Sequence, residues 1–250
     1  VEFDDGSTST LISDDKWKWS TGQIQFNCVR GGETIDARKD PGRWLEASYD
    51  DSVWKPALEV APPLGRLSSQ ALPPIRIAEQ IKPLRITEPK PGVYLVDFGR
   101  NIAGWVRWTA SGRKDQIVTL DYNEALLEDG ILNKTAQATH TYGRYQHQEC
   151  ILSGATNEVF EPRFTYHAFR YVEFRGLDRV PLPEELTAFR LHTQLRQTSS
   201  FECSNPQLNQ LHNAARRTLE DCTWGGFSAE PVREKVIWLG DDNFCIDAYF

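Results

Sequence analysis

Apolar and polar residues alternate with a period of two through most of the first 195 positions of the chain. This period puts successive side chains on opposite faces of a strand and is typical of half-buried β-structure. The alternation predicts strands at residues 17–19, 24–26, 93–98, 105–109, 117–122 and 171–174.

Turn-forming residues separate these segments. Asp-Pro-Gly at 40–42, Ser-Gly-Arg at 111–113 and Glu-Asp-Gly at 128–130 favour tight turns. Pairs of prolines at 62–63 and 73–74 predict a linker between two modules. Short strands at this spacing, without long helices between them, indicate antiparallel β-sandwiches.

The period changes after Ser199, where apolar residues recur at helical spacing. These are Leu208, Leu211, Ala215 and Leu219. Ser204 and Gln207 resemble a capping box, and Pro206 suits the first helical turn. We expect a helix of about four turns that ends near Cys222, before two glycines.

The predicted architecture is therefore mainly β, with antiparallel β-sandwich domains followed by the first helices of a helical domain. The changes of pattern place the domain boundaries at 1–65, 66–197 and 198–250. A chain of 250 residues that is 40% hydrophobic can bury cores of this kind.

Charge and cysteine content narrow the possible partners. Acidic residues outnumber basic ones by 35 to 28, which gives a net charge of −7, and no basic stripe is present. This argues against nucleic acid and anionic membrane surfaces as partners. The five cysteines lack C-x-x-C spacing, so we expect free, mostly buried thiols, no zinc site and no metal or other cofactor. The cellular compartment stays open.

Aromatic residues reach 11% of the chain, including 8 tryptophans. Aromatic faces bind the apolar side of sugars, but large β-sandwiches also bury aromatic side chains in their cores. For any single tryptophan we favour the structural role.

Candidate chemistry concentrates between residues 227 and 242, where carboxylates, an arginine, a lysine and a tryptophan follow the predicted helix. A carboxylic acid such as Glu234, walled by Val236, Ile237 and Trp238, would stay protonated more readily and could serve as a general acid. A helix here would bring Asp241, seven residues on, to the same side as Glu234. The alternative is a helix N-terminus with ordinary surface ion pairs.

Three other features favour structural roles. Residues 97–105 contain Gly99 and Gly104, which permit unusual backbone geometry, and Trp105, which we expect to pack. His167 lies among aromatic residues and is expected to be a hydrogen-bonded strand histidine.

A local group of charges is also predicted to be structural. Glu33, Asp36 and Arg38 are close in sequence, and we expect them to form a local ion-pair network.

Residues 231–241 read Pro-x-Arg-Glu-Lys-x-x-Trp-x-Gly-Asp, and this order resembles the catalytic loop of bacterial α-L-rhamnosidases, glycoside hydrolase family 78. Further stretches resemble the same family in the same order. They are residues 17–22 with 32–38, residues 96–105, and residues 160–173 running on to 201–206. The resemblance covers nearly the whole chain, and four motifs in sequence are far more specific than any one of them.

The resemblance implies an architecture. Residues 1–65 would end an N-terminal lectin-like sandwich, 66–197 would form a concanavalin-like sandwich, and 198–250 would begin an (α/α)6 catalytic barrel. It also implies hydrolysis with inversion, and a rhamnose-containing oligosaccharide or glycoside as the partner. A homodimer of the full-length protein is a further possibility.

The resemblance also implies site residues. Glu234 would be the general acid, Asp241 and Trp238 would line the rhamnose subsite, and Arg233 would support the carboxylates. Inverting hydrolysis needs an acid and a base roughly 6.5–9.5 Å apart, so that a water molecule fits between base and sugar. In this family the base lies later in the barrel, beyond residue 250.

One departure concerns the sugar. The family has Asp-Cys-Pro where this chain has Ala229, Glu230 and Pro231. Ala229 has no polar atom with which to bind sugar hydroxyls, although the neighbouring Glu230 could substitute. Another deoxy sugar or a modified rhamnoside as substrate, a non-catalytic carbohydrate-binding protein, and a purely structural sandwich pair remain alternatives.

The chain opens without a Met and stops within an apolar stretch, which we interpret as cuts in a longer protein. We therefore expect the 250-residue chain to be inactive alone, since the base is missing. An unpartnered apolar face on its last helix should also reduce its solubility.

Overall fold

The structure is a computed structural model that describes residues 1–135, 143–228, 230–240 and 243. It contains the strands β1 (Lys18–Trp19), β2 (Ile24–Cys28), β3 (Gly32–Asp36), β4 (Lys55–Pro56), β5 (Ile75–Ile81), β6 (Arg85–Lys90), β7 (Val93–Ala110), β8 (Ile117–Asn123), β9 (His147–Ile151), β10 (Glu158–Phe160), β11 (His167–Arg175) and β12 (Leu186–Thr193), and the helix α1 (Pro206–Asp221). Every segment predicted as a strand from its alternation overlaps one of these strands. The expected fold class, β-structure followed by the beginning of a helical domain, is confirmed.

The chain divides into two compact units, of which the first comprises Val1–Gln23 and Lys39–Ser69. Its β-structure is the antiparallel pair of β1 with β4. The Lys18 ammonium lies 2.8 Å from the Asp51 carboxylate, and the Trp54 ring contacts the rings of Trp44 and Tyr49.

The second unit comprises Ile24–Arg38 and the chain from Gln70 onward. Within its described residues, ten strands form one sheet with the order β2-β3-β9-β8-β11-β7-β12-β5, and β6 and β10 also pair with β7. All pairings are antiparallel, as predicted, except that β3 runs parallel to β9. The parallel pair attaches the β2–β3 hairpin to the second unit, although it lies before the predicted linker. The boundaries at residues 65 and 197 stay predictions.

Strand β7 has 18 residues and is longer than any of its partners. It can therefore pair with four other strands along its length. Its first half pairs with β6 and β11, and its second half pairs with β12 and β10. Gly99 has a φ of +83°, and a Cβ atom at Gly104 would lie 1.8 Å from the Phe189 carbonyl oxygen. The structural role predicted for these two glycines is confirmed.

The core lies on the inner faces of this curled sheet. It consists mainly of buried aliphatic and aromatic side chains from β7, β8, β11 and β12, among them Val96, Val106, Val118, Leu120, Val172 and Leu186. Trp108 stacks on Phe160 and meets Phe174 edge to face. Buried residues alternate with more exposed ones in β8 and in the second half of β7, which accounts for the period of two in those segments.

Helix α1 begins and ends close to where its sequence predicts, with Pro206 in its first turn and Cys222 as its C-cap. The N-cap is Asn205 and not Ser204, so the predicted capping box is wrong. The Asn205 side chain accepts a hydrogen bond from the backbone N–H of Gln207, 2.9 Å away. The amide oxygen of Asn205 thus accepts from a backbone N–H of the first helical turn, which is the role that the Ser204 hydroxyl was expected to have. The apolar face of α1 is largely exposed, for example at Leu211.

The local ion-pair network is only partly as predicted. Arg38 makes a bidentate pair with Asp36 at 2.8 and 2.7 Å and reaches Asp115 at 2.6 Å. Glu33 instead points into the protein, where its fully buried side chain accepts hydrogen bonds from the backbone N–H groups of Arg163 and Phe164. In a strand, alternate residues face opposite sides, so Glu33 and Asp36 lie on opposite faces of β3.

This burial gives a prediction about pH. Desolvation raises the pKa of Glu33 above its ordinary value of 4.5, so the folded state holds this proton more tightly than the unfolded state. Stability contributed by Glu33 is then lost as pH rises from about 4.5 through the folded pKa. Glu33→Gln removes this dependence. The free energy of unfolding of Glu33→Gln minus that of the wild type, measured with urea, should therefore increase from pH 4 to pH 7. The exposed Glu128→Gln is the control, and a difference that shrinks with rising pH would contradict the prediction.

His167 lies in β11, as predicted, but not as a hydrogen-bonded histidine. Neither ring nitrogen has a hydrogen-bond partner among the residues that the structure describes. The ring stacks on Tyr122 with centroids 4.0 Å apart, and burial holds the pKa of His167 well below its usual range. The neutral imidazole therefore acts as a flat core side chain.

The four described cysteines are free thiols, as expected. The expectation that most of them are buried is wrong, because only Cys150 is buried and Cys28 is exposed. No helix within the described ranges combines the length and apolar character needed to cross a membrane.

Candidate active site

The end of α1 is anchored to the sheet by Arg190 of β12. Its guanidinium donates to the Asp221 carboxylate at 2.7 Å and to the Glu220 carboxylate at 2.8 Å, and the side chain is only 4% exposed. Burial raises the pKa of Asp221 to about 6, although the positive charge of Arg190 opposes the rise. This ion-pair cluster sets where the chain leaves the helix.

The next turn, residues 222–228, is tied to the last residue of β12. The backbone N–H of Thr193 donates to the Thr223 carbonyl, and the Thr193 hydroxyl accepts from the Gly225 N–H, both at 2.8 Å. The Ser228 N–H closes the turn on the Cys222 carbonyl at 2.7 Å. The loop predicted to carry the chemistry therefore begins from a rigid base.

Glu230 organises the loop itself. One carboxylate oxygen accepts from the backbone N–H of Arg233 at 2.5 Å and from that of Glu234, and the other accepts from Val232 at 2.9 Å. Three N–H groups converging on one carboxylate fold residues 231–234 into a tight turn. The sequence suggested Glu230 as a sugar ligand, and the structure shows a carboxylate engaged by its own loop.

Glu234 and Trp238 lie together, as their joint assignment requires. The Trp238 indole N–H donates to the Glu234 carboxylate. Half of the Trp238 side chain is exposed, at 52%, so the ring also offers an open face. A carboxyl group oriented by an indole N–H beside an exposed aromatic face is suited to proton transfer onto a bound sugar.

Two parts of the reasoning that selected Glu234 are wrong. Residues 231–238 form turns and coil, and helical backbone begins only at residue 239, so no helix aligns Glu234 with a residue seven positions later. Ile237 and Trp238 are more than half exposed, so they do not wall off the carboxyl group within this chain.

Of the remaining site residues, Arg233 is described by the structure. The Arg233 Nε lies 3.9 Å from a Glu230 carboxylate oxygen, and the Arg233 side chain is 43% exposed. This is a long, solvent-exposed ion pair, and the expected role of Arg233 beside the carboxylates stays a prediction. Asp241 and Ala229 lie outside the described residues.

Two residues to which the sequence assigned no role, Arg30 and Lys235, hold this loop against the β2–β3 hairpin. The Arg30 Nε donates to the Glu234 carbonyl at 2.8 Å. The Lys235 ammonium donates to the carbonyls of Val29 at 3.0 Å and Tyr166 at 2.6 Å. Arg30 is about 200 positions from Glu234 in sequence, so no local pattern could have paired them.

A cavity of about 530 Å³ lies beside the loop. Four of the side chains that line it are aromatic, and they are Trp105, Phe164, Tyr166 and Trp224. Tyr166 stacks on Trp224 with centroids 3.7 Å apart, and the Trp105 indole N–H donates to Glu161 at 3.1 Å. Trp105 therefore does more than pack as expected, because its side chain also lines this cavity.

Two titratable groups outside the loop, a carboxyl group and a phenol, are affected by the charge of Glu230. Burial raises the pKa of Glu124 above its ordinary value, and the negative charge of Glu230 raises it further. Burial also raises the pKa of Tyr145, again with a contribution from Glu230. Glu124 and Tyr145 carried no motif that would have singled them out.

Three family models match the chain in order. They are the α-L-rhamnosidase N-terminal domain over residues 1–79, the bacterial α-L-rhamnosidase concanavalin-like domain over 87–192, and the bacterial α-L-rhamnosidase six-hairpin glycosidase domain over 196–249. Together with the geometry above, these matches define β-sandwich domains joined to the start of a six-hairpin glycosidase domain. The chain belongs to the bacterial α-L-rhamnosidase family. The resemblance drawn from the four motifs is confirmed.

Individual relatives agree. An α-L-rhamnosidase of Formosa agariphila is 37% identical over 98% of this chain and 26% of its own length. The crystal structure of Streptomyces avermitilis α-L-rhamnosidase complexed with L-rhamnose matches 98% of this chain and 24% of its own, at 32% identity and a TM-score of 0.91. The α-L-rhamnosidase from Dictyoglumus thermophilum matches 99% of this chain and 28% of its own, at 34% identity and a TM-score of 0.92. This chain thus spans about a quarter of the length of the relatives it matches.

Proposed function

We propose that this chain is part of a longer glycoside hydrolase that cleaves terminal α-L-rhamnosyl residues from glycans or glycosides with inversion of configuration. The observation that carries the proposal is the Glu234 carboxylate, oriented by the Trp238 indole N–H on a loop anchored to the sheet. The loop lies within the segment matched by the six-hairpin glycosidase domain. The similarity to a rhamnosidase crystallised with L-rhamnose supports the choice of sugar.

In this mechanism Glu234 protonates the leaving glycosidic oxygen. Trp238 orients its carboxyl group and presents a ring face to the sugar, and Asp241 lines the same subsite. Inversion requires a second carboxylate that activates water, roughly 6.5–9.5 Å from the acid. We propose that this base lies in the part of the full-length protein that follows this chain.

Glu230 and Arg233 act mainly through the loop. Three backbone N–H groups occupy the Glu230 carboxylate, so only its remaining lone pairs could bind a sugar hydroxyl. We therefore propose that Glu230 shapes the turn bearing Glu234, with Arg233 as its counter-ion. On this view Glu230 replaces the family's Asp at position 229 only in part.

That departure supports a second candidate function. Ala229 cannot hydrogen-bond a sugar hydroxyl through its side chain, which favours either another deoxy sugar or a carbohydrate-binding protein without catalysis. A homodimer of the full-length protein is a separate expectation, which sedimentation velocity measures.

An assay of the full-length protein, obtained by extending the reading frame, tests the proposal. We expect cleavage of 4-nitrophenyl α-L-rhamnoside, with β-L-rhamnose as the first product seen by proton NMR. α-L-Rhamnose as the first product would overturn inversion. Binding of rhamnose without cleavage would favour the lectin, and cleavage of only 4-nitrophenyl α-L-fucoside would favour another deoxy sugar. The 250-residue chain alone should show no turnover.

A further inference from the structure

The loop that bears Glu234 rests on the turn between β2 and β3. The Arg30 Nε donates to the Glu234 carbonyl at 2.8 Å, and the Lys235 ammonium donates to the Val29 carbonyl at 3.0 Å. A third bond joins Lys235 to the Tyr166 carbonyl at 2.6 Å. These bonds fix the backbone on both sides of the Glu234 carbonyl.

Lys235 is held in a conformation that it would not adopt freely. Its φ is +50°, in the left-handed region that is strained for a residue with a Cβ atom. Such a conformation persists when surrounding contacts determine it. Here the side chain supplies those contacts, because its ammonium lies 4.7 Å from the ring centre of Tyr166 and 5.7 Å from that of Tyr145.

The placement of the ammonium is itself costly. Burial lowers the pKa of Lys235 to about 7, so the group loses more hydration than its partners return. A side chain that only decorated the surface would remain in solvent. The strained backbone and the desolvated ammonium lie directly beside Glu234, the residue whose position matters most to proton transfer.

We propose that Arg30 and Lys235 are positioning residues, which clamp the Glu234 loop to the β2–β3 hairpin and so set the reach of the general acid. The inference rests on the proposed function, since it assigns a purpose to the geometry of Glu234. It also gives the hairpin a role in catalysis that its place in a β-sandwich unit would not suggest.

Leaving-group dependence tests the clamp in the full-length protein. 4-Nitrophenoxide leaves with little protonation, whereas methoxide must be protonated by the general acid. Lys235→Met and Arg30→Met keep the aliphatic stems and remove the donors. On methyl α-L-rhamnoside we expect kcat to fall by up to about 10²-fold, which is the effect of misplacing a reacting group by about 1 Å. On the 4-nitrophenyl substrate the fall should be much smaller, with KM nearly unchanged on both.

The matched controls are Lys90→Met and Arg113→Met, whose charged groups make exposed ion pairs elsewhere in the second unit. They should leave both substrates unaffected. Equal losses on both substrates, or no loss, would overturn the clamp. If Lys235→Met does not fold, Arg30→Met alone tests the clamp. Arg30→Met removes a single exposed side-chain hydrogen bond, so it should fold.

Glu234→Gln is measured alongside. If it shows no extra loss on the methyl glycoside, the proposed acid is wrong and the clamp loses its purpose. If Glu234→Gln is defective while both clamp variants behave as wild type, the proposed function stands and the clamp alone is overturned.

Discussion

Replacing Glu234 by Gln in the full-length protein is expected to lower kcat on methyl α-L-rhamnoside by roughly 10²- to 10⁴-fold, the range that a general acid contributes. The amide has nearly the same shape as the carboxyl group, and its oxygen can still accept the Trp238 indole N–H. The Glu230 turn uses the backbone of residue 234 and is unaffected. The variant therefore removes the transferable proton and leaves the loop in place.

The controls separate this effect from misfolding. Glu202→Gln changes an exposed carboxylate that precedes helix α1, and this variant should be fully active. KM for Glu234→Gln should stay within a few-fold of wild type, because the sugar contacts remain. A Glu234→Gln enzyme that cleaves the methyl glycoside at the wild-type rate would show that another residue is the acid.

Replacing Arg190 by Met is expected to destabilise the second unit by about 3–5 kcal/mol, the usual cost of removing one partner from a buried ion pair. The Arg190 guanidinium lies between the carboxylates of Asp221 and Glu220. Its Nη1 atom is also 3.4 Å from a carboxylate oxygen of Glu79. Met fills similar space but leaves these carboxylates facing one another. Urea unfolding of the 250-residue chain measures the change, and Arg113→Met, which removes a solvent-exposed ion pair, should produce little change.

The loss should depend on pH in a defined direction. The pKa of Asp221 is about 6 in the folded protein, above its ordinary 3.8, so ionisation of Asp221 costs stability as pH rises through this window. Without Arg190 the pKa rises further and the cost grows. The deficit of Arg190→Met relative to wild type should therefore be larger at pH 8 than at pH 5.

A double-mutant cycle completes the test of this cluster. Asp221→Asn should recover part of the stability lost in Arg190→Met, because it removes the uncompensated carboxylate. Strictly additive effects, or an Arg190→Met deficit that shrinks at high pH, would show that the ion pair does not anchor the end of α1.

Local patterns were sufficient for most of the fold. Strand β8 and the second half of β7 could be predicted because burial of alternate residues imposes a period of two on a half-buried strand. Helix α1 could be predicted because Pro206 and the apolar spacing act within a few residues. The segment containing Glu234 could be chosen because its residue types lie side by side in the chain.

Features that depend on distant residues could not be predicted. The pairing of β3 with β9 joins segments over 100 positions apart, and nothing in either segment distinguishes a parallel from an antiparallel neighbour. Glu33 was assigned to a local network because Arg38 was near in sequence, but its oxygen binds the backbone near Phe164.

The site shows the same division. Glu234 and Trp238 could be paired from sequence because they lie four positions apart in one motif that resembles the family's catalytic loop. The hold of Arg30 and Lys235 on the loop, and the engagement of Glu230 by three N–H groups, arise only when the folded sheet brings the β2–β3 turn and the loop together. The physical reason is that hydrogen bonds and burial depend on distance in space, whereas a sequence pattern records only distance along the chain.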